Sequence, residues 1–201
     1  SLVGSEMCIR DSYNTFSVFS IRFVLHFKNE EDTMIAIQLL QVKDFMNKLL
    51  RTDLFDHFLL SEATIRGKGS YEIDGHLVPD FYSPEELDEL ELTGLSCLPF
   101  GMLRENCFAL IKGKHTPSYF RFIFQLSPKN LKNTLEVSKS GLTTQDLNGV
   151  FLNIKFQDGI LSCTNGVSYR SFTLDHTFDQ EWDLLIRKFF AGHDIPYTDI
   201  N

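Results

Sequence analysis

The chain has 201 residues, 43% of them hydrophobic, which is enough to bury a sizeable core. With 19 Lys and Arg against 27 Asp and Glu its formal charge is −8, which excludes a uniformly basic nucleic-acid coat and a polybasic membrane anchor but leaves room for a local basic patch. Aromatic residues at 13% and only 6 prolines argue against a disordered chain, and no apolar run approaches the roughly 18 residues of a membrane span.

Residues 1–33 are set apart from the rest. Ser1 to Ser12 resembles the translation of a sequencing-adapter remnant. Glu30 and Glu31, if encoded GAGGAG, form a purine-rich ribosome-binding site just upstream of a Met34 codon. The expectation is therefore a non-native leader over 1–33 and a single domain over 34–201. A signal peptide centred on Ser17 to Phe27 is disfavoured, because Arg22 interrupts its apolar core and no small-residue cleavage site follows. Residues 34–201 carry 16 Lys and Arg against 22 Asp and Glu, a net charge of −6. Their three cysteines, Cys97, Cys107 and Cys163, are odd in number and lack Cys-x-x-Cys spacing, which points to reduced thiols and a cytoplasmic protein.

In chain order, Met34 to Leu39 reads as a short strand, and Val42, Phe45, Met46, Leu49 and Leu50 recur at helical spacing up to about Thr52. Phe58 to Ile65 predicts a strand, Gly67 to Gly69 a turn, and Ser70 to Asp74 its hairpin partner; Asp74-Gly75 marks a second turn. Ser83, Pro84 and Glu86 supply an N-cap, a first-turn proline and an acidic first turn for a short helix through about Leu92. Pro99 to Lys112 fits a helix stopped by Gly113, with a buried strand over Cys107 to Ile111 as the alternative. Tyr119 to Leu126 is the clearest strand, with Phe120, Phe122, Phe124 and Leu126 on one face. Ser127-Pro128 opens a helix toward Ser140, with Gly141 as its stop.

Val150 to Leu174 predicts three strands joined by type I′ turns at Asp158-Gly159 and Asn165-Gly166. Thr177 and Gln180 form a capping box for a last helix carrying Phe178, Trp182, Leu185, Ile186 and Phe189 on one stripe. The elements add up to an α+β fold: a mostly antiparallel sheet with a C-terminal three-stranded meander and amphipathic helices packed on a face.

No phosphate-binding loop, dinucleotide fingerprint, zinc-protease motif or nucleophile elbow is present, and no cofactor is implied. Two basic glycine turns stand out: Arg66 to Gly69, with Lys68, and Lys112 to His115, with Lys114. If the sheet brings them to one edge, Arg66, Lys68, Lys112 and Lys114 would grip phosphate; otherwise they are ordinary solvent-facing neighbours of glycine. Tyr71, Tyr119 and Phe120 beside them would stack bases if they face solvent, although phenylalanines at strand spacing are more often core. Histidine–carboxylate neighbours suited to acid–base chemistry are Asp56-His57, Glu62, Asp74 with His76, and Asp175-His176. Asp74 is better explained by its turn and Asp175 by the start of the last helix. His57, Glu62 and His76 would make a metal or acid–base site if the first hairpin brought them face to face.

Several segments carry a family resemblance: Val42 to Leu50, Phe55 to Ala63, Leu110 to Lys114, Leu152 to Ile154, Phe172 to Leu174, the Trp182 helix, and Asp194 to Pro196. Over residues 34–201 the chain resembles an uncharacterised domain-of-unknown-function family of clostridial Firmicutes. The resemblance implies a bacterial origin and supplies no catalytic residues. The functional expectation is a non-catalytic binding or regulatory module, cytoplasmic, off the membrane, whose partner is a protein or nucleic acid. The alternative is a metal-dependent or His-assisted phosphodiesterase acting on RNA or DNA. A homodimer formed through a strand edge or the last helix is compatible with either.

Overall fold

The computed structural model describes residues 36–200, so the expected leader and the expected Met34 start lie outside the described residues. In order the elements are β1 (Ala36–Leu39), α1 (Val42–Arg51), β2 (Leu59–Arg66), β3 (Ser70–Asp74), a 3-10 turn (Pro79–Phe81), α2 (Pro84–Glu89) and α3 (Phe100–Ile111). They continue with β4 (Tyr119–Gln125), α4 (Pro128–Val137), β5 (Leu147–Gln157), β6 (Ile160–Tyr169), α5 (Thr177–Gly192) and β7 (Tyr197–Asp199). The strands form one antiparallel sheet in the order β3-β2-β4-β5-β6-β1-β7. The α+β class is as expected, and the Pro99 to Lys112 segment is the helix rather than the strand.

The phenylalanine alternation of β4 sets the layers. Phe120, Phe122 and Phe124 are buried while Tyr119, Arg121 and Ile123 on the other face are only half-covered. Register carries the same face outward through Ala63 opposite Phe122, Ile154 opposite Phe122 on the other side, and Cys163 opposite Ile154. Phe45 and Leu49 of α1, Phe100 and Cys107 of α3, Leu131 and Leu135 of α4 and Phe178, Trp182, Ile186 and Phe190 of α5 join that one core. The helices thus cover the phenylalanine face. Phe100 meets Phe124 edge-on at 5.0 Å and Phe120 stacks on Phe156 at 5.1 Å. Each such ring contributes about 1.5–3 kcal/mol by leaving water, with about 0.5–1.5 kcal/mol more from the paired geometry.

Local signals account for most boundaries. Ser83 caps α2 reciprocally, its Oγ accepting from Glu86 N–H while Glu86 accepts from Ser83 N–H. Ser127 Oγ accepts from Asn130 N–H at the start of α4, which stops at Val137 rather than running on to Ser140. Asp158 and Gly159 take φ of 52° and 80°, the positive pair a type I′ turn requires.

Three expectations are corrected. Asn165-Gly166 is no turn: both residues lie inside β6, opposite Leu152 and Phe151, and neither has positive φ. Val150 to Leu174 therefore holds a two-stranded hairpin, its third segment being an irregular loop into α5. Asn165 is buried on the helix face, where its amide donates to Asp183 of α5. Asp74-Gly75 does not reverse the chain either. Gly75 N–H donates to Ser61 O, and the chain runs on to a bridge between His76 and Cys97. At α5 the capping box is replaced by Asp175, whose carboxylate accepts from Thr177 N–H at 2.9 Å; Thr177 is already the first helical residue.

Candidate functional site

Strand pairing decides where the basic turns go. In the β2–β4 ladder Arg66 is opposite Tyr119, so the residues leaving β2 meet the residues entering β4. Ser118 donates to the Arg66 carbonyl through both its N–H (2.9 Å) and its Oγ (3.2 Å), and Gly67 N–H closes onto Gly69 O at 2.9 Å. The α3–β4 connection, residues 112–118, is thereby clamped beside the β2–β3 turn. Between them lies an open groove of about 400 Å³ lined by Gly67, Lys68, Leu110, Ile111, Lys112, Gly113, Lys114, His115, Thr116, Pro117 and Ser118.

Three of the four expected phosphate ligands, Lys68, Lys112 and Lys114, line this groove, joined by His115. Arg66 does not: its guanidinium sits over the Tyr119 ring, 4.9 Å from the centroid, and only its carbonyl helps shape the turn. Lys112 sits at the C-cap of α3 and Lys114 two residues beyond it, on the side where cations offset the negative end of the helix dipole. That structural role explains two lysines but not Lys68, which arrives from a different element. The lining residues include no carboxylate. Pro117 forms a buried part of the wall, and Leu110 and Ile111 are half-covered. The apolar wall was not legible as part of a site, because in sequence these residues look like the end of a helix stripe.

The other candidates lie apart from the groove. His57 is exposed in the loop between α1 and β2. Its neighbour Asp56 faces Arg104 instead, in a two-pronged pair at 2.8 and 3.1 Å. Glu62 accepts from Arg121 and from Thr64 Oγ1 on the sheet face opposite the helices. His76 is exposed and paired with Asp74, Nδ1 to Oδ1 2.5 Å. The His76 N–H donating to Asp74 is the main reason that carboxyl sits below the usual range, with partial burial opposing it and the imidazole contributing further. Among the described residues no group of three or more His, Cys, Asp or Glu is placed to hold a metal ion, so His57, Glu62 and His76 do not form one. Of the stacking candidates Phe120 is core, as phenylalanines at strand spacing more often are, while Tyr119 stays on the other face under Arg66. His176 faces Asp179 at 3.3 Å, and Tyr169 Oη donates to the same carboxylate at 2.6 Å, a contact across elements that the sequence did not signal.

Cys97, Cys107 and Cys163 are free and buried. Burial raises all three thiols, Cys107 to about 12. No helix of the described residues is long and apolar enough to cross a membrane.

Compared with known families, residues 48–198 match a family of unknown function, DUF5721. The chain belongs to that family. The matched stretch of this DUF5721 chain runs from within α1 to β7 and contains both basic turns and the whole groove lining. No curated protein and no solved structure matches the chain.

Proposed function

We propose that this chain is a non-catalytic binding module of the bacterial cytoplasm whose groove holds the phosphate groups of its partner. The observation that carries this reading is the convergence of Lys68 with Lys112 and Lys114 on one groove, from turns that belong to separate elements. Three lysines with no carboxylate among the lining, the Lys112 ammonium 5.8 Å from the centroid of the Phe108 ring, make a local positive site on a chain of net charge −8. The compartment rests on the three reduced, buried thiols, and the bacterial origin on the clostridial resemblance. A phosphodiesterase has less support. Metal-assisted cleavage needs several carboxylate or histidine ligands at the phosphate; His115 lines the groove, but no carboxylate does, and His57, Glu62 and His76 lie elsewhere.

The test is binding of inorganic tripolyphosphate and of a labelled oligonucleotide to the full chain and to the Lys68→Ala/Lys112→Ala/Lys114→Ala variant, with native mass recorded to settle whether the chain is a dimer. Affinity should fall as salt rises from about 50 to 200 mM, and for the oligonucleotide the log–log slope should shrink by about 2 in the variant, at about 0.7 per lost phosphate contact. Failure of both anions to bind the wild-type chain at the lower salt would overturn the reading.

A further inference from the structure

The groove carries more than charge. Gly113, Lys114, His115 and Thr116 follow one another with no backbone N–H committed to a described residue, and all four line the groove. Such a row of free donors beside ammonium groups suits phosphate oxygens. In the same lining Leu110, Ile111 and Pro117 give an apolar surface that bare phosphate would not use. At about 400 Å³ the space has the size of a small-molecule site rather than a track for a strand.

The surroundings argue against a long polyanion. Arg66, at the end of β2 where the groove's turn begins, is stacked on Tyr119, and Arg121 on β4 is paired with Glu62. On β3, next to β2, Glu72 and Asp74 are exposed. A strand leaving the groove along the sheet would exchange three lysines for arginines already engaged and for the exposed carboxylates of Glu72 and Asp74.

Resting on the reading above, we propose that the ligand is a compact phosphate ester with an apolar or planar body, of nucleotide size. Its phosphates sit on Lys68, Lys112, Lys114 and the 113–116 N–H groups, and its body lies on Leu110, Ile111 and Pro117. Calorimetric titration of the full chain with ATP, tripolyphosphate and an oligothymidylate tests this. ATP should bind about tenfold tighter than tripolyphosphate, the scale of a partly buried ring. Leu110→Ser should remove that preference while leaving tripolyphosphate unchanged, and Lys112→Ala/Lys114→Ala, both exposed, should weaken all three probes. Equal affinity for ATP and tripolyphosphate would overturn the compact-ester proposal and leave the phosphate reading standing. So would an oligothymidylate that binds tighter than ATP. Failure of all three probes to bind overturns both readings.

Discussion

Gly75→Ala should be among the most damaging single-methyl additions in the described fold. A Cβ built there falls 1.8 Å from the Leu60 carbonyl oxygen and 2.8 Å from its carbon, both main-chain atoms that no rotamer change can move. The approach occurs where β2 slips register against β4, between Leu60 and Glu62. Relief to even 3.0 Å requires the two segments to part by about 1.2 Å. That takes the Gly75 N–H to Ser61 O bond (3.1 Å) out of range and strains the Leu98 N–H to Gly75 O bond (2.8 Å) beside it. Each lost bond that leaves a covered group unmet costs about 1–3 kcal/mol, so about 3 kcal/mol in all is expected. For a domain of this size that lowers Tm by about 6–12 °C. Urea and thermal unfolding by circular dichroism would measure it, with Gly113→Ala, whose Cβ meets nothing within 4 Å, as the neutral control. A Gly75→Ala protein within about 0.5 kcal/mol of wild type would refute the reasoning, since ordinary surface changes fall in that band.

Native protein should leave Cys97, Cys107 and Cys163 unlabelled by a thiol reagent at neutral pH and react at all three once unfolded, because burial keeps the thiolate scarce; peptide mapping by mass spectrometry reads each site. Phe122→Ala, at the centre of the sheet and fully buried, should cost about 3–5 kcal/mol in urea titrations. Asp175 sits below the usual carboxylate range because the Thr177 hydroxyl and N–H donate to it, and Asp146 because the Thr143 N–H and hydroxyl do. A depressed carboxylate stabilises the fold at pH values above 3.8, and that contribution is lost as pH falls through the folded-state value. Tm of wild type and Asp175→Ala should therefore differ at neutral pH and converge in the acid limb below 3.8; a constant difference would count against the cap.

The fold was legible where a pattern is short and self-contained. Alternation in Tyr119 to Leu126 needs no partner to be read, and Ser83-Pro84 with Glu86 names its own helix start. The paired dipeptides show the limit. Asp158-Gly159 and Asn165-Gly166 carry the same local preference for a turn, yet only the first makes one. What separates them is tertiary. β6 is paired along both edges, with β5 and with β1, and the Asn165 amide has a carboxylate on α5 to donate to. A turn preference worth a fraction of a kcal/mol is outweighed by a ladder of about ten bonds, even at the low net value of about 0.5–1.5 kcal/mol each.

The site divides along the same line. Each basic turn could be found in the sequence, because glycines flanked by lysines stand out against an acidic background. Their meeting could not, because it depends on Ser118 reaching the carbonyl of Arg66, 52 residues away. The same dependence explains why Arg66 lies outside the groove lining. Residues alternate faces along a strand, so the last residue of β2 sends its side chain across the sheet to Tyr119 while the next two form the groove rim. A one-residue change of register at the Arg66–Tyr119 pair would exchange those roles. The groove is thus a property of strand pairing rather than of either turn, and a substitution that weakens the β2–β4 ladder near Ser118 should weaken anion binding without touching a lysine.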